Sequence, residues 1–133
     1  MKYIVIQNEV ISKYKIDLCD GSKCKDGDWS RTHAHVRQRR VCKWKQSNSI
    51  ASTFELFHEI GHIENNNAKM RRCEEEYYAT VWAIDKLREY EILDRLSAKQ
   101  KESYQGYIYR ELDRGVRRGG KQYPTKEELT LNW

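Results

Sequence analysis

Apolar residues recur along this chain at two different periods. Residues 2–7 and 10–18 alternate and are rich in Ile, Val and Tyr, which predicts two strands joined at Gln7-Asn8-Glu9. Residues 19–32 hold Gly, Asp, Ser and Lys and read as a loop. Alternation returns from His35 to Lys45. Val36, Gln38, Arg40, Cys42 and Trp44 make one face, and Arg37, Arg39, Val41, Lys43 and Lys45 the other, so a third strand with a basic outer face is expected. The period then lengthens. Phe54, Phe57 and Ile60, or Leu56, Ile60 and Ile63, fall at helical spacing. Ser52 and Glu55 form a capping box at the start of this helix, and Asn65-Asn66-Asn67 end it. A second helix begins at Cys73 and runs to about Leu96, with Glu76, Ala79 or Thr80, Ala83 and Leu87 on one stripe. Ser97 with Gln100 caps a third, which carries Tyr104, Ile108 and Leu112 on its apolar stripe. It runs to about Arg114 and is stopped by Gly115. The tail from Arg117 is Gly-rich and basic and holds the sole proline, Pro124. The expected fold is α+β: a small antiparallel three-stranded sheet packed against three helices, in a single domain spanning residues 1–133.

The first of these helices carries His58-Glu59-Ile60-Gly61-His62. Histidines four apart place both imidazoles on one helix face, one turn from each other. That spacing suits two ligands of one tetrahedral zinc, and Glu59 projects beside that face as a general base for a water at the metal. Gly61 breaks the local rule, since glycine in mid-helix costs roughly 1 kcal/mol against alanine. A glycine between the histidines makes sense where another backbone must pass close to the site.

Two histidines leave a catalytic zinc one protein ligand short. Glu76 heads a stripe of small residues on the second helix, which fits two helices packed closely with the carboxylate reaching the first. Glu74 and Glu75 lie about 100° or more away around that helix and point elsewhere. Such an acidic triplet also favours a helix N-terminus electrostatically. Cys73 is a rival ligand, because zinc takes thiolate readily.

The two blocks together, His58-Glu59-Ile60-Gly61-His62 and Glu76-Tyr77-Tyr78-Ala79-Thr80-Val81-Trp82-Ala83, resemble the ImmA/IrrE family of zinc metallopeptidases. Its members commonly carry H-E-[LI]-[GS]-H and later E-x-x-A-N-x-F-A. Glu76, Ala79 and Ala83 match, Trp82 replaces the usual phenylalanine, and Thr80 stands where Asn or Asp is usual. The Leu-Met-Pro continuation of the family is absent. The resemblance covers roughly residues 50 to 90. It implies a zincin-like H-E-x-x-H helix as one of the three helices of the expected fold, with His58, His62 and Glu76 as zinc ligands and Glu59 as the catalytic carboxylate. It also implies an association with phages or other mobile elements, whose relatives cleave or inactivate helix-turn-helix repressors.

A peptidase also needs a donor to steady the oxyanion. Tyr77, Tyr78, Tyr104, Tyr107, Tyr109, His33 and His35 are the candidates. Most of the tyrosines read as packing residues with a wet hydroxyl. His33 and His35 share a strand face and read as ordinary surface histidines.

Composition bounds the rest. Of 133 residues, 38% are hydrophobic and 34% charged, polar but still globular, with four Trp, nine Tyr and two Phe as core bulk. No run of eighteen apolar residues exists, and the start Met1-Lys2-Tyr3-Ile4-Val5-Ile6 is too soon polar for a signal peptide. A cytoplasmic location without membrane association is expected. Cys19, Cys24, Cys42 and Cys73 are then expected to be reduced thiols. With His33 or His35 some of them could form a second, structural zinc site, but the spacing matches no strong finger pattern. The net charge of +5 gathers at 37–45 and 110–121. It supports at most nonspecific attraction to nucleic acid, or preference for an acidic protein substrate. The leading expectation is a zinc endopeptidase acting on a protein or peptide substrate. The alternative is a non-proteolytic metal-containing module that sequesters or blocks a host or phage factor. Oligomeric state has no signature in the sequence.

Overall fold

A computed structural model describes the backbone of residues 2–20, 32–65 and 72–117, and side chains within 2–20, 32–65, 75–106 and at 110. The elements run α1 (Tyr3–Lys13), β1 (Asp17–Cys19), β2 (His33–His35), β3 (Arg40–Cys42), α2 (Ile50–Glu64), α3 (Arg72–Glu89), a short 3₁₀ turn at Leu93–Arg95, and α4 (Ala98–Arg117). The class is α+β as expected, but among the described residues there are four helices instead of three and the sheet, of order β1-β3-β2, is mixed rather than antiparallel. β1 pairs with β3 in parallel, Leu18 opposite Val41, and β2 pairs with β3 antiparallel, Ala34 opposite Val41.

The expected N-terminal pair of strands is overturned. Residues 3–13 form a helix, because the stripe Tyr3, Ile6, Gln7, Val10 and Tyr14 has the helical period and packs on the core. Its β-branched residues favour a strand locally, and tertiary burial overrides them. The cap is also non-local. Asn48, from the loop before α2, accepts from the first amides of α1, Tyr3 N at 2.6 Å and Ile4 N at 3.4 Å. The buried Gln7 amide donates to Ser47 O at 2.9 Å and to Thr53 Oγ1 at 2.8 Å, which pins α1 to the start of α2.

The single strand expected from His35 to Lys45 is instead a tight hairpin, β2 and β3 flanking a turn over 36–39. That turn, Val36-Arg37-Gln38-Arg39, contains none of the residues that usually mark one. Arg39 itself takes the left-handed conformation, φ 50°. Its guanidinium donates to Tyr14 O at 2.7 Å and pairs with Glu64, which compensates the cost of that backbone. The expected basic outer face does not form: Val41, placed on it, is buried in the core, and Arg39 is paired to Glu64.

The motif helix α2 is as expected in place but is capped one turn earlier. Ser49 Oγ accepts from Ser52 N at 3.1 Å, while Ser52 donates to Lys45 O and Glu55 pairs with Thr32. α2 ends at Glu64 with Asn65 as its C-cap; Asn66 and Asn67 lie outside the described residues. Nearly every position from Ser52 to Ile63 is buried, so α2 is the central helix of the fold. Phe54, Leu56, Phe57, Ile60 and Ile63 meet Val10, Val41, Ala83, Ile84 and Leu87 in one core.

The second expected helix, α3, stops at Glu89 rather than Leu96. Glu91 adopts φ 60° and Ile92 N returns to Leu87 O at 2.8 Å, a left-handed helix ending. Ile92, Leu93 and Leu96 still point inward, which is why periodicity alone carries the helix too far. The capping box of α4 forms reciprocally. Ser97 N donates to Gln100 Oε1 at 2.9 Å and Gln100 N to Ser97 Oγ at 3.1 Å. α4 continues through Gly115 to Arg117. No helix among the described residues is long and apolar enough to cross a membrane.

Candidate metal centre

α2 and α3 meet at Gly61. A Cβ built on this glycine would lie 2.5 Å from Ala79 O and 2.9 Å from Ala79 Cα, so no side chain fits between the two backbones. The close approach brings the start of α3 over the histidine face of α2. Glu76, one turn before Thr80 and buried with Ala79, Ala83 and Leu87 on one stripe, reaches both imidazoles. Its Oε2 lies 3.1 Å from His58 Nε2 and its Oε1 3.3 Å from His62 Nε2. One ligand atom from each of the three residues lies within 4.8 Å of the others, a group that could hold a metal ion. The two rings stand nearly perpendicular, 87° with centroids 4.8 Å apart. The sequence therefore places its three expected ligands together. The side chains of Glu74 and Cys73 lie outside the described residues.

Burial opposes a charge on Glu76, but hydrogen bonds from His58 and His62 outweigh it and hold the carboxyl far below its usual range. Glu59 stands in the opposite situation. It is buried, and desolvation raises its pKa against the partial opposition of the two imidazoles. One site thus contains a firmly ionised carboxylate and a second carboxyl made more basic, the separation that acid–base chemistry uses.

Thr80, on the Glu76 stripe, contacts two residues of this group. Its hydroxyl donates to Glu76 O at 2.9 Å and lies 3.1 Å from His58 Nδ1. A hydroxyl has one proton, so with that proton on Glu76 O it accepts from Nδ1–H of His58. With Nδ1 so held, Nε2 is the ring atom that faces Glu76 and would ligate a cation there in place of its hydrogen bond to the carboxylate. The signal in the sequence is position: Thr80 is one helical turn beyond Glu76 on its stripe.

A cleft of about 450 Å³ opens beside the centre, lined by Thr32, Phe54, His58, Glu59, Ser103 and Tyr104 among others. Tyr104 stacks on Phe54, centroids 4.5 Å apart and planes 12° from parallel. Burial raises its pKa, which keeps the phenol a donor. Of the other oxyanion candidates, Tyr77 packs against the core and Tyr78 is exposed. The side chains of Tyr107 and Tyr109 lie outside the described residues. His33 and His35 are not ordinary surface histidines: His33 is buried, and both join Cys42 in a second cluster. No protein-family profile, no curated protein and no solved structure matches this chain.

Proposed function

We propose that this protein is a zinc-dependent endopeptidase of the ImmA/IrrE type. It would hydrolyse a peptide bond in a protein substrate, a regulator linked to a phage or mobile element. The observation that carries the enzymatic reading is the convergence of His58, His62 and Glu76, with His58 and Glu59 also lining an open cleft. The biological setting rests on the motif resemblance.

The donor set fits zinc. Imidazole nitrogen and carboxylate oxygen are ordinary zinc ligands, and one such atom from each of the three residues lies within 4.8 Å of the others. Two neutral imidazoles and a carboxylate are a catalytic rather than a closed structural set. When bound, zinc supplies a Lewis acid that polarises a carbonyl and acidifies water. The remaining work belongs to the chain. Glu59, with its pKa raised by burial, accepts a proton from the attacking water and returns it to the leaving amine. Tyr104, which lines the cleft, would donate towards the developing oxyanion. Thr80 holds His58 in its ligating tautomer. Among the described residues β2 is an edge strand, it packs against α2, and the cleft begins at Thr32, immediately before it. An extended peptide can therefore add to β2 through main-chain hydrogen bonds and pass Glu59.

Glu59→Gln tests this reading. Cleavage of a peptide library, read by mass spectrometry, should fall at least about 100-fold, with zinc content and circular dichroism unchanged. Cleavage retained by the variant would remove Glu59 as the base, and wild-type protein without cleavage would remove the peptidase reading. Full biological activity without cleavage would favour the sequestering module.

A further inference from the structure

The second cluster sits on the sheet, away from α2's histidines in the chain and built from different chemistry. Ala34 and Val41, paired across β2 and β3, turn towards the hydrophobic core. Alternation then puts His33, His35 and Cys42 on the opposite face. That face is not a solvated one: His33 and Cys42 are buried, and His35 is half-buried. Where a second buried face would ordinarily be aliphatic, this one presents imidazoles and thiols. His33 stands opposite Cys42 in the antiparallel ladder. Cys19 stands opposite Cys42 in the parallel one and so adds a second thiol to the same face. Cys19 and Cys42 are both buried and neither is in a disulfide.

Three observations point to a cation. One ligand atom from each of His33, His35 and Cys42 lies within 4.8 Å of the others. The His33 and His35 rings repeat the arrangement of the pair on α2, with centroids 5.0 Å apart and planes at 83° against 4.8 Å and 87°. His35 Nε2 is buried with no hydrogen-bond partner among the described residues, a cost that coordination removes.

We infer that His33, His35 and Cys42 form a second metal site that takes a borderline-soft divalent cation of the zinc class. Two imidazoles and a thiolate suit such an ion over calcium or magnesium, which prefer oxygen. Binding releases the Cys42 thiol proton to solvent and forms a metal–sulfur bond. The role is structural. β2 and β3 are three residues each, shorter than the usual strand, and the turn between them lacks ordinary turn residues. A cation held by both strands cross-links the hairpin and fixes the β2 edge. The site is independent of the peptidase reading, because no residue is shared with it.

Cobalt is the probe, since the centre on α2 and α3 has no sulfur ligand among its three residues. Metal-depleted protein titrated with Co²⁺ should bind two equivalents and develop a near-ultraviolet thiolate-to-cobalt charge-transfer band. His62→Ala should lose one equivalent and keep the band. Cys42→Ser should lose the other equivalent together with the band. His35→Asn, at a half-buried position, changes the ligand set without touching the buried thiol and should also drop one equivalent, with circular dichroism unchanged. Wild-type protein without the band, or a band that survives Cys42→Ser, would overturn the assignment. A band present in a protein that binds a single equivalent, unaffected by His62→Ala, would support this site while removing the one on α2.

Discussion

At the scale of single residues, the centre depends on partners of its ligands as much as on the ligands. Thr80 is the clearest case. Asn or Asp is the residue expected there by resemblance, and a threonine looks like a loss of support. The structure shows a hydroxyl 3.1 Å from His58 Nδ1, anchored on Glu76 O, so a smaller side chain orients the same imidazole. Thr80→Val keeps the shape and removes that hydroxyl. Zinc affinity should fall about 10- to 100-fold, measured by competition with a chromophoric chelator, while the fold loses only about 1–3 kcal/mol for the unpaired Nδ1. Unchanged affinity would mean that the hydroxyl does not set the tautomer. The two histidines were legible as sharing one face, because i and i+4 on a helix have only one geometric outcome; Glu76 was reached through its stripe on α3 and the motif resemblance, with Cys73 as a rival. His33 and His35 were legible as sharing a face but not as buried, since burial is a property of what covers them.

At the scale of elements, the junction of α2 and α3 makes the site. A glycine between two ligands reads as a defect within its own helix, and the sequence already suggested a close backbone. Ala79 is that backbone, 2.5 Å from where the Cβ would sit. Gly61→Ala therefore sets two effects against each other. Helix propensity gains roughly 1 kcal/mol, and forced overpacking costs about 1–3 kcal/mol. The clash is with main chain, which cannot rotate away, so the second effect wins. Urea unfolding should show a net loss on the order of 1 kcal/mol, and zinc titration a weaker site as Glu76 is pushed from the imidazoles. A variant more stable than wild type with unaltered affinity would show that the helices have room to separate. The elements that escaped sequence reading share one cause. α1 takes its cap from Asn48 and the β2–β3 turn takes its left-handed residue from Arg39, held by Tyr14 and Glu64. Each signal lies far along the chain from the element it stabilises. By contrast the Ser97–Gln100 box, local in sequence, was readable and formed.

At the scale of the whole molecule, a ligand that binds only the folded chain stabilises it by mass action, by about 4 kcal/mol at a thousandfold excess over Kd. With His58 and Glu76 joining two helices, zinc should raise Tm by roughly 10 °C in differential scanning calorimetry. A strong chelator should reverse the shift, and His62→Ala should abolish the part due to this centre. A Tm indifferent to zinc in both proteins would argue against metal binding by the native fold. The sequence by itself determined that His58 and His62 share a face with Glu59 beside them and that α2 and α3 are helical, because these follow from spacing within one segment. Only the tertiary structure decided that residues 3–13 coil rather than extend, that 33–42 fold back on themselves, and that two groups of side chains able to hold a metal ion are largely buried. Those outcomes depend on contacts between segments distant in the chain, and local pattern carries no record of what another segment will cover or cap.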